Sequence, residues 1–139
     1  MSVLVDTPLW SLALRRPAAR LSPEEQRHVA EWTALVDDDE AVLIGPVRQE
    51  VLTGIRSEAM FERIRLALRD YPDELLSVED FEAGAHAANV CRAAGVAGST
   101  VDVLICGAAL RREAAIYSLD RDFVAYARHL PLRLHAPRG

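Results

Sequence analysis

The stretch Ser2-Val3-Leu4-Val5-Asp6-Thr7-Pro8-Leu9-Trp10 begins with a short apolar run that stops at an acidic residue. A β-branched run of this kind predicts a buried strand. Thr7 is a candidate helix N-cap because Pro8 then occupies the first helical position, and apolar residues follow at helical spacing. We therefore expect a strand that leads directly into a helix, with Asp6 at the junction.

The same alternation of strands and helices continues along the chain. Apolar runs at 41–44, 114–119 and 132–134 predict further strands. Helical patterns cover, approximately, residues 22–36, 46–52, 57–70, 78–94, 100–112 and 122–128. Apolar strands that alternate with helices predict an α/β domain with a parallel sheet that is covered on both faces.

The composition indicates one globular domain over residues 1–139. The chain is 50% hydrophobic and 27% charged, a balance that suits a single core and excludes a disordered chain. Charged residues interrupt every apolar run before it reaches the roughly 18 to 20 residues of a membrane-spanning helix. Because Asp6 lies inside the first apolar run, we expect no signal peptide and no membrane association, and we expect a cytoplasmic protein.

The basic residues exclude several enzyme classes. All 16 of them are arginines, since the chain contains no lysine. P-loop proteins, Schiff-base enzymes and pyridoxal-phosphate enzymes each need a lysine amine, so these classes are excluded. The net charge of −5 gives no overall attraction for nucleic acids.

Four acidic residues are predicted to meet at one edge of the sheet. Asp6 and Asp120 follow strands, while Glu50 and Asp102 lie near the starts of helices that begin at the same edge. The ligand crevice of an open parallel sheet lies outside the carboxyl ends of its strands. Carboxylates held this close repel one another unless a cation binds them, and hard oxygen ligands suit Mg²⁺ or Mn²⁺. We therefore expect a divalent metal site at this edge.

Four segments carry these acids, namely residues 4–10 (LVDTPLW), 46–54 (PVRQEVLTG), 100–109 (TVDVLICGAA) and 117–123 (YSLDRDF). In order and spacing they resemble the acidic motifs of PIN-domain nucleases, and most of all those of the VapC ribonuclease toxins of bacterial toxin–antitoxin pairs. The resemblance covers essentially the whole chain.

The resemblance implies a three-layer α/β/α PIN-like domain with a central, mainly parallel sheet. It implies a metal-dependent endoribonuclease that hydrolyses RNA phosphodiester bonds with Mg²⁺ or Mn²⁺ as the toxin of a type II toxin–antitoxin pair. The partners that it implies are the RNA substrate, a cognate VapB-type antitoxin and a second copy of the chain in a homodimer.

Carried over position by position, Asp6, Glu50 and Asp102 match the first three acids of the family, and Asp120 matches the fourth. These four residues are the expected catalytic and metal-binding groups. Asp122 lies in the same motif as Asp120 and is an alternative fourth metal ligand.

Two hydroxyls and several arginines are further candidates. Thr7 and Ser118 fall where the family often has a hydroxyl that supports the site, although helix capping or a turn explains them equally well. Arginines close in sequence to the motifs are candidates for binding the RNA backbone. They are Arg48, Arg56, Arg111 and Arg121.

The remaining polar residues have simpler interpretations. The acidic run 37–40 and the scattered acids that include Asp80 are expected to be solvated. The four histidines lack the spacing of a zinc site and are expected at the surface or at weakly packed tips. Both cysteines are expected to be buried free thiols, and Trp10 and Trp32 are expected in the core.

Two other interpretations of the acidic edge stay open. The first is that the chain is a catalytically inactive PIN-like interaction module, although such proteins tend to lose one or more of the four acids. The second is that the chain is a different small doubly wound binding domain with an acidic site, such as a response-regulator receiver. That interpretation requires a lysine near the site, which this chain lacks. The active nuclease is the preferred hypothesis.

Overall fold

The computed structural model describes residues 1–138. Their strands form a sheet in the order β3-β2-β1-β4, in which every neighbouring pair is parallel. The strands are β1 (Val3–Val5), β2 (Ala41–Ile44), β3 (Asp73–Glu74) and β4 (Ala115–Tyr117). The helices are α1 (Thr7–Arg15), α2 (Pro23–Asp37), α3 (Gly45–Leu52), α4 (Glu58–Leu68), α5 (Val78–Ala93), α6 (Thr100–Arg112) and α7 (Asp122–Ala127), with a 3-10 turn at Ala18–Arg20.

The sheet is the middle of three layers, as predicted. Strand β1 lies between β2 and β4 and is buried throughout, because helices cover both of its faces. Helices α1 to α4 pack with one another, whereas α5 packs against α6, which also contacts β1 and β4. Both tryptophans and both cysteines are buried, the cysteines as free thiols, which confirms those predictions. None of the helices formed by residues 1–138 has the length and apolar composition needed to cross a membrane.

Several predicted boundaries are wrong at the ends of elements. The edge strand β3 was not expected, because its two residues are acidic and exposed. The predicted strand at 132–134 is reduced to a single bridge between Ile116 and Leu134. The N-cap of α1 is Asp6 rather than Thr7, because the Asp6 carboxylate accepts a hydrogen bond from the Thr7 backbone N–H.

Helices α5 and α6 pack against each other at two glycines. A Cβ atom on Gly107 would lie 2.4 Å from the backbone nitrogen of Gly84, closer than atoms can approach. A Cβ atom on Gly84 would lie 3.2 Å from the Cα of Leu104. The two backbones therefore meet only because neither position has a side chain. This contact holds α6 in place, and α6 carries Asp102 in its first turn.

Asp80 is fully buried, so the prediction that it is solvated is wrong. Its carboxylate accepts hydrogen bonds from Arg111 Nη1 at 2.7 Å and from Arg112 Nη2 at 2.9 Å. It also accepts one from the backbone N–H of Ser77 at 2.8 Å. The hydrogen bonds from Arg112, above all, hold the pKa of Asp80 well below its usual range. The network joins the start of α5 to the end of α6.

We expect Asp80→Asn to destabilise the protein at pH 7 by about 2 to 3 kcal/mol. The stability falls because Arg111 and Arg112 keep their positive charges but lose the carboxylate between them. The loss stays moderate because both guanidinium side chains are partly exposed to solvent. Since folding lowers the pKa of Asp80, its stabilising effect is complete above its ordinary pKa of about 4 and disappears as the pH falls through the folded pKa. Urea unfolding of both proteins at pH 7 and in acid measures this difference.

Glu82→Gln is the matched control, because Glu82 is an exposed acid of the same helix. We expect its stability to stay close to that of the wild type. Equal losses for the two variants at pH 7 would contradict a structural role for the Asp80 network.

Candidate active site

A cleft opens at the carboxyl edge of the sheet, where the sequence predicts the acidic site. It has a volume of about 640 Å³. Helices α1, α3, α6 and α7 and the loop after β4 contribute its walls. The carboxylates that line it are those of Asp6, Glu50, Asp102, Asp120 and Asp122. The fold therefore brings all the predicted acids into one cleft.

Asp6 lies at the inner end of the cleft, and only 4% of its surface is exposed. The hydroxyl of Ser118 donates to Asp6 Oδ2 at 2.6 Å, and the backbone N–H of Thr7 donates to Oδ1 at 2.8 Å. Burial raises the pKa of Asp6 despite these two donors, and the charges of Asp102 and Glu50 raise it further. The free energy of the folded, ionised site would therefore fall if a cation bound there.

Asp102 lies in the first turn of α6, which Ser99 caps by accepting the Asp102 backbone N–H at 3.1 Å. The hydroxyl of Tyr126 donates to Asp102 Oδ2 at 2.8 Å. Burial raises the pKa of Asp102, and the charges of Asp120 and Glu50 add to the effect. The pKa of Tyr126 is also raised, first by burial and then by its hydrogen bond to Asp102. Tyr126 was missed from the sequence, where it reads as an apolar residue of α7.

Asp120 and Asp122 form the outer side of the cleft. One carboxylate oxygen from each of Asp102, Asp120 and Asp122 lies within 4.8 Å of the others. Asp120 Oδ1 accepts the backbone N–H of Asp122 at 2.9 Å, so the two acids share one turn. The backbone N–H of Asp120 donates to Ser118 Oγ at 2.9 Å. Both candidates for the fourth acid therefore face the same space.

Glu50 is exposed and approaches from α3. The hydroxyl of Thr7 donates to Glu50 Oε1 at 2.6 Å, which joins α1 to α3 across the cleft. Thr7 and Ser118 thus both contact carboxylates of the cleft, as the site interpretation requires. Two further polar residues, Gln49 and Thr53, line the cleft and were not predicted. They lie one residue before and three residues after Glu50, on α3 and at its C-cap.

Positive charge does not neutralise these acids. Within residues 1–138, none of the five carboxylates of the cleft forms an ion pair with an arginine or a histidine. A cluster of carboxylate oxygens with hydroxyl donors but no cationic partner suits a hard divalent cation. Asp102, Asp120 and Asp122 together have the oxygen spacing that could hold one.

Two of the arginines predicted to bind RNA have other partners. Arg48 donates to Asp73 Oδ1 at 2.8 Å and to the carbonyl of Leu68 at 3.0 Å, and so it fastens α3 to β3 and α4. Arg111 donates to Asp80 and lies about 14 Å from Asp102 along α6, at a rise of about 1.5 Å per residue. The structure thus gives both arginines a role in the fold, and RNA binding by either of them stays a prediction. Arg56 and Arg121 are exposed, and their role stays a prediction.

The histidines and Cys106 lie outside the cleft. His28 Nδ1 is 2.6 Å from the Tyr117 hydroxyl, and His135 Nε2 is 2.7 Å from the buried carboxylate of Glu31. These two histidines are half-buried, so the expectation of surface positions is wrong for them. Burial raises the pKa of the Cys106 thiol to about 12, consistent with a packing role.

The chain matches the PIN domain family model over residues 3–129. No curated protein matches it significantly. Among solved structures it is similar to a chain in "VapBC2 from Rickettsia felis bound to a DNA fragment from their promoter", with 14% identity, a TM-score of 0.75, and coverage of 97% of this chain and 98% of that one. It is also similar to a chain of FitAcB from Neisseria gonorrhoeae, with 16% identity, a TM-score of 0.74 and 97% coverage of both chains. The family model covers nearly the whole α/β/α domain together with every acid of the cleft, and the chain therefore belongs to the PIN-domain family.

Proposed function

We propose that the protein is a metal-dependent endoribonuclease that uses Mg²⁺ or Mn²⁺ and acts as the toxin of a type II toxin–antitoxin pair. The observation that carries the proposal is the convergence of five carboxylates, without a cationic partner among residues 1–138, in one open cleft. PIN domains are generally nucleases, and the acids have the chemistry that metal-dependent phosphodiester hydrolysis requires.

The residues of the cleft fit a divalent cation, and Asp6, Glu50, Asp102, Asp120 and Asp122 are the proposed ligands. When bound, the cation would activate water and stabilise the charge that develops on the phosphate oxygens. The side chains of this protein orient the ligands. They do so by donating hydrogen bonds to the carboxylates. Such hydrogen bonds fix the direction of a metal-binding carboxylate and keep it ionised.

The orienting groups are hydroxyls. Ser118 holds Asp6, Tyr126 holds Asp102, and Thr7 holds Glu50. A hydroxyl donates a hydrogen bond without contributing a positive charge, so the attraction of the cleft for a cation is retained. No side chain of the cleft is an evident proton shuttle, since the histidines among the described residues do not line it.

The choice of RNA as substrate and of an antitoxin as partner rests on the resemblance to VapC toxins. Both similar structures bear the names of two-component assemblies, VapBC2 and FitAcB. We propose a cognate VapB-type antitoxin, a homodimeric toxin and a cytoplasmic location. Sedimentation of the purified chain alone tests the homodimer, because a monomer at micromolar concentration would contradict it.

Cleavage should depend on the metal. We expect the purified protein to cut RNA with Mg²⁺ or Mn²⁺ and to lose this activity in EDTA, because the clustered carboxylates cannot bind a phosphodiester without a cation between them. Gel analysis of a labelled RNA measures the cleavage. Full activity after rigorous chelation would refute the proposal.

Asp6→Asn should abolish cleavage and leave the metal-free protein at least as stable as the wild type. Folding raises the pKa of Asp6, so its ionisation opposes folding above its ordinary pKa of about 4, and the wild type loses stability relative to the variant as the pH rises through the folded pKa. Thermal unfolding measures this, and Mg²⁺ should raise the melting temperature of the wild type more than that of the variant.

Asp38→Asn is the control for Asp6→Asn, because Asp38 is an exposed acid outside the cleft. It should change neither cleavage nor the response to Mg²⁺. Near-normal metal-dependent cleavage by Asp6→Asn would show that the site lies elsewhere.

Tyr126→Phe should weaken Mg²⁺ binding or cleavage by about 10- to 100-fold, because it removes the hydrogen bond that orients Asp102. Tyr71→Phe is the matched control, since Tyr71 packs against both tryptophans and does not line the cleft. The rate of cleavage as a function of Mg²⁺ concentration separates the two variants. Identical Mg²⁺ dependence would contradict a positioning role for Tyr126.

The gene that neighbours this one should encode a small protein with a DNA-binding N-terminus. Co-expression of the two proteins should yield a stable complex that does not cleave RNA. Size-exclusion chromatography and the cleavage assay measure both properties. A neighbour that neither binds the protein nor inhibits it would contradict the toxin–antitoxin assignment.

A further inference from the structure

A second groove adjoins the acidic cleft and is lined by arginines. It runs between the end of α1, the turn that follows it and α4. Its apolar floor includes Leu12, Pro17 and Met60, and Pro8 lines both this groove and the acidic cleft. Leu119, at the far side of the groove, directly precedes Asp120. The groove and the cleft therefore adjoin at Pro8. The arginines that line the groove are Arg15, Arg16, Arg20 and Arg63.

Three of the four arginines of this groove have no acidic partner among the described residues. Arg16 forms an ion pair with Glu25 at 2.8 Å. Within residues 1–138, Arg15, Arg20 and Arg63 form no ion pair, and Arg20 and Arg63 are exposed. A chain with a net charge of −5 thus concentrates uncompensated arginines beside its most acidic cleft. Three full charges outweigh the partial negative charge, about half an elementary charge, at the C-terminus of α1.

The acidic cleft itself repels RNA, because five carboxylates face a polyanion. While the cleft holds no metal, attraction has to come from arginines beside it, and Arg48 and Arg111 already pair with Asp73 and Asp80. The end of α1 lies about 12 Å from Thr7, at a helical rise of about 1.5 Å per residue. An RNA strand that leaves the cleft over Pro8 meets the groove within this distance.

We propose that the groove formed by Arg15, Arg16, Arg20 and Arg63, which we call the arginine groove, binds the phosphate backbone of the RNA strand that extends beyond the cleaved bond. This inference rests on the proposed endoribonuclease function. The arginines bind phosphates without reading bases, so they add affinity and orientation for long substrates. A tetranucleotide-sized substrate that fills only the cleft gains nothing from them.

The test compares two triple variants of equal charge. In the groove variant, Arg15, Arg20 and Arg63 are replaced by Gln. In the control variant, Arg69, Arg92 and Arg128, which are exposed and lie outside the groove, are replaced by Gln. Arg63 donates to the carbonyl of Leu14 at 3.3 Å. The double variant Arg15→Gln/Arg20→Gln therefore keeps the test valid if the triple variant unfolds.

Fluorescence anisotropy in EDTA measures the binding of a single-stranded RNA of about 16 nucleotides, near the upper end of the usual site size. We expect the groove variant to bind at least about tenfold more weakly, and we expect its slope of log K against log salt to be less negative by about 2, since each lost phosphate contact reduces the magnitude of the slope by about 0.7. The control variant should match the wild type. An RNA of about 4 nucleotides, cleaved with Mg²⁺, should be cut by the groove variant at the wild-type rate.

Equal affinities and salt slopes for the wild type, the groove variant and the control variant would overturn the proposal. The arginine groove would then be a site for an acidic segment of a partner protein and not for RNA. A wild type that binds no RNA in EDTA would also overturn the proposal. Failure of the proposed function gives a different result, namely RNA binding through the groove but no cleavage of either RNA with Mg²⁺ or Mn²⁺.

Discussion

The arrangement of the cleft depends on the hydrogen bonds of Asp6. Its backbone N–H donates to the carbonyl of Tyr117 at 2.9 Å and so extends the pairing of β1 with β4 by one residue. Its carboxylate caps α1 and accepts the Ser118 hydroxyl from the loop after β4. One residue thereby joins the central strand, its neighbour and the first helix. Ser118 also accepts the backbone N–H of Asp120, so the junction reaches the outer acids of the cleft.

The buried and half-buried acids of the protein have two different kinds of hydrogen-bond partner. Away from the cleft, arginines neutralise them, as in the pairing of Asp80 with Arg111 and Arg112. Inside the cleft, only hydroxyls and backbone N–H groups donate to Asp6 and Asp102, and the pKa of each carboxyl is raised by burial. In the first arrangement the charges compensate one another within the protein, so the removal of one partner destabilises the fold. The second leaves a negative charge that a cation can satisfy, which is the basis of the proposed function.

The sequence was informative where the physical signal was local. The run of residues 3–5 that ends at an acid predicted the junction of β1 and α1, and the helical pattern over residues 100–112 predicted that Asp102 lies near the start of α6. Four motifs in order predicted that the acids share one edge of a parallel sheet. The error at Thr7 was a shift by one residue, because Asp and Thr are both good N-caps and only the geometry decides between them.

The sequence failed where partners are distant along the chain. Asp80 looked solvated because its arginines lie 31 and 32 residues away. Arg48 and Arg111 looked free for RNA because nothing local reveals that Asp73 and Asp80 bind them. Tyr126 was hidden because a buried tyrosine on a helix resembles an ordinary core residue until its hydroxyl is seen to reach Asp102. The arginine groove combines parts of α1, the turn after it and α4, which no local pattern connects.

We propose above all that the carboxylates of the cleft together hold a divalent cation. Titration of the purified, metal-free protein with Mn²⁺, followed by electron paramagnetic resonance of the free ion, tests it most directly. We expect saturable binding of at least one Mn²⁺ per chain that competes with Mg²⁺ and is lost in Asp102→Asn but retained in Asp38→Asn. Binding of equal strength and stoichiometry in the wild type and in Asp102→Asn, or no binding to the wild type, would contradict it.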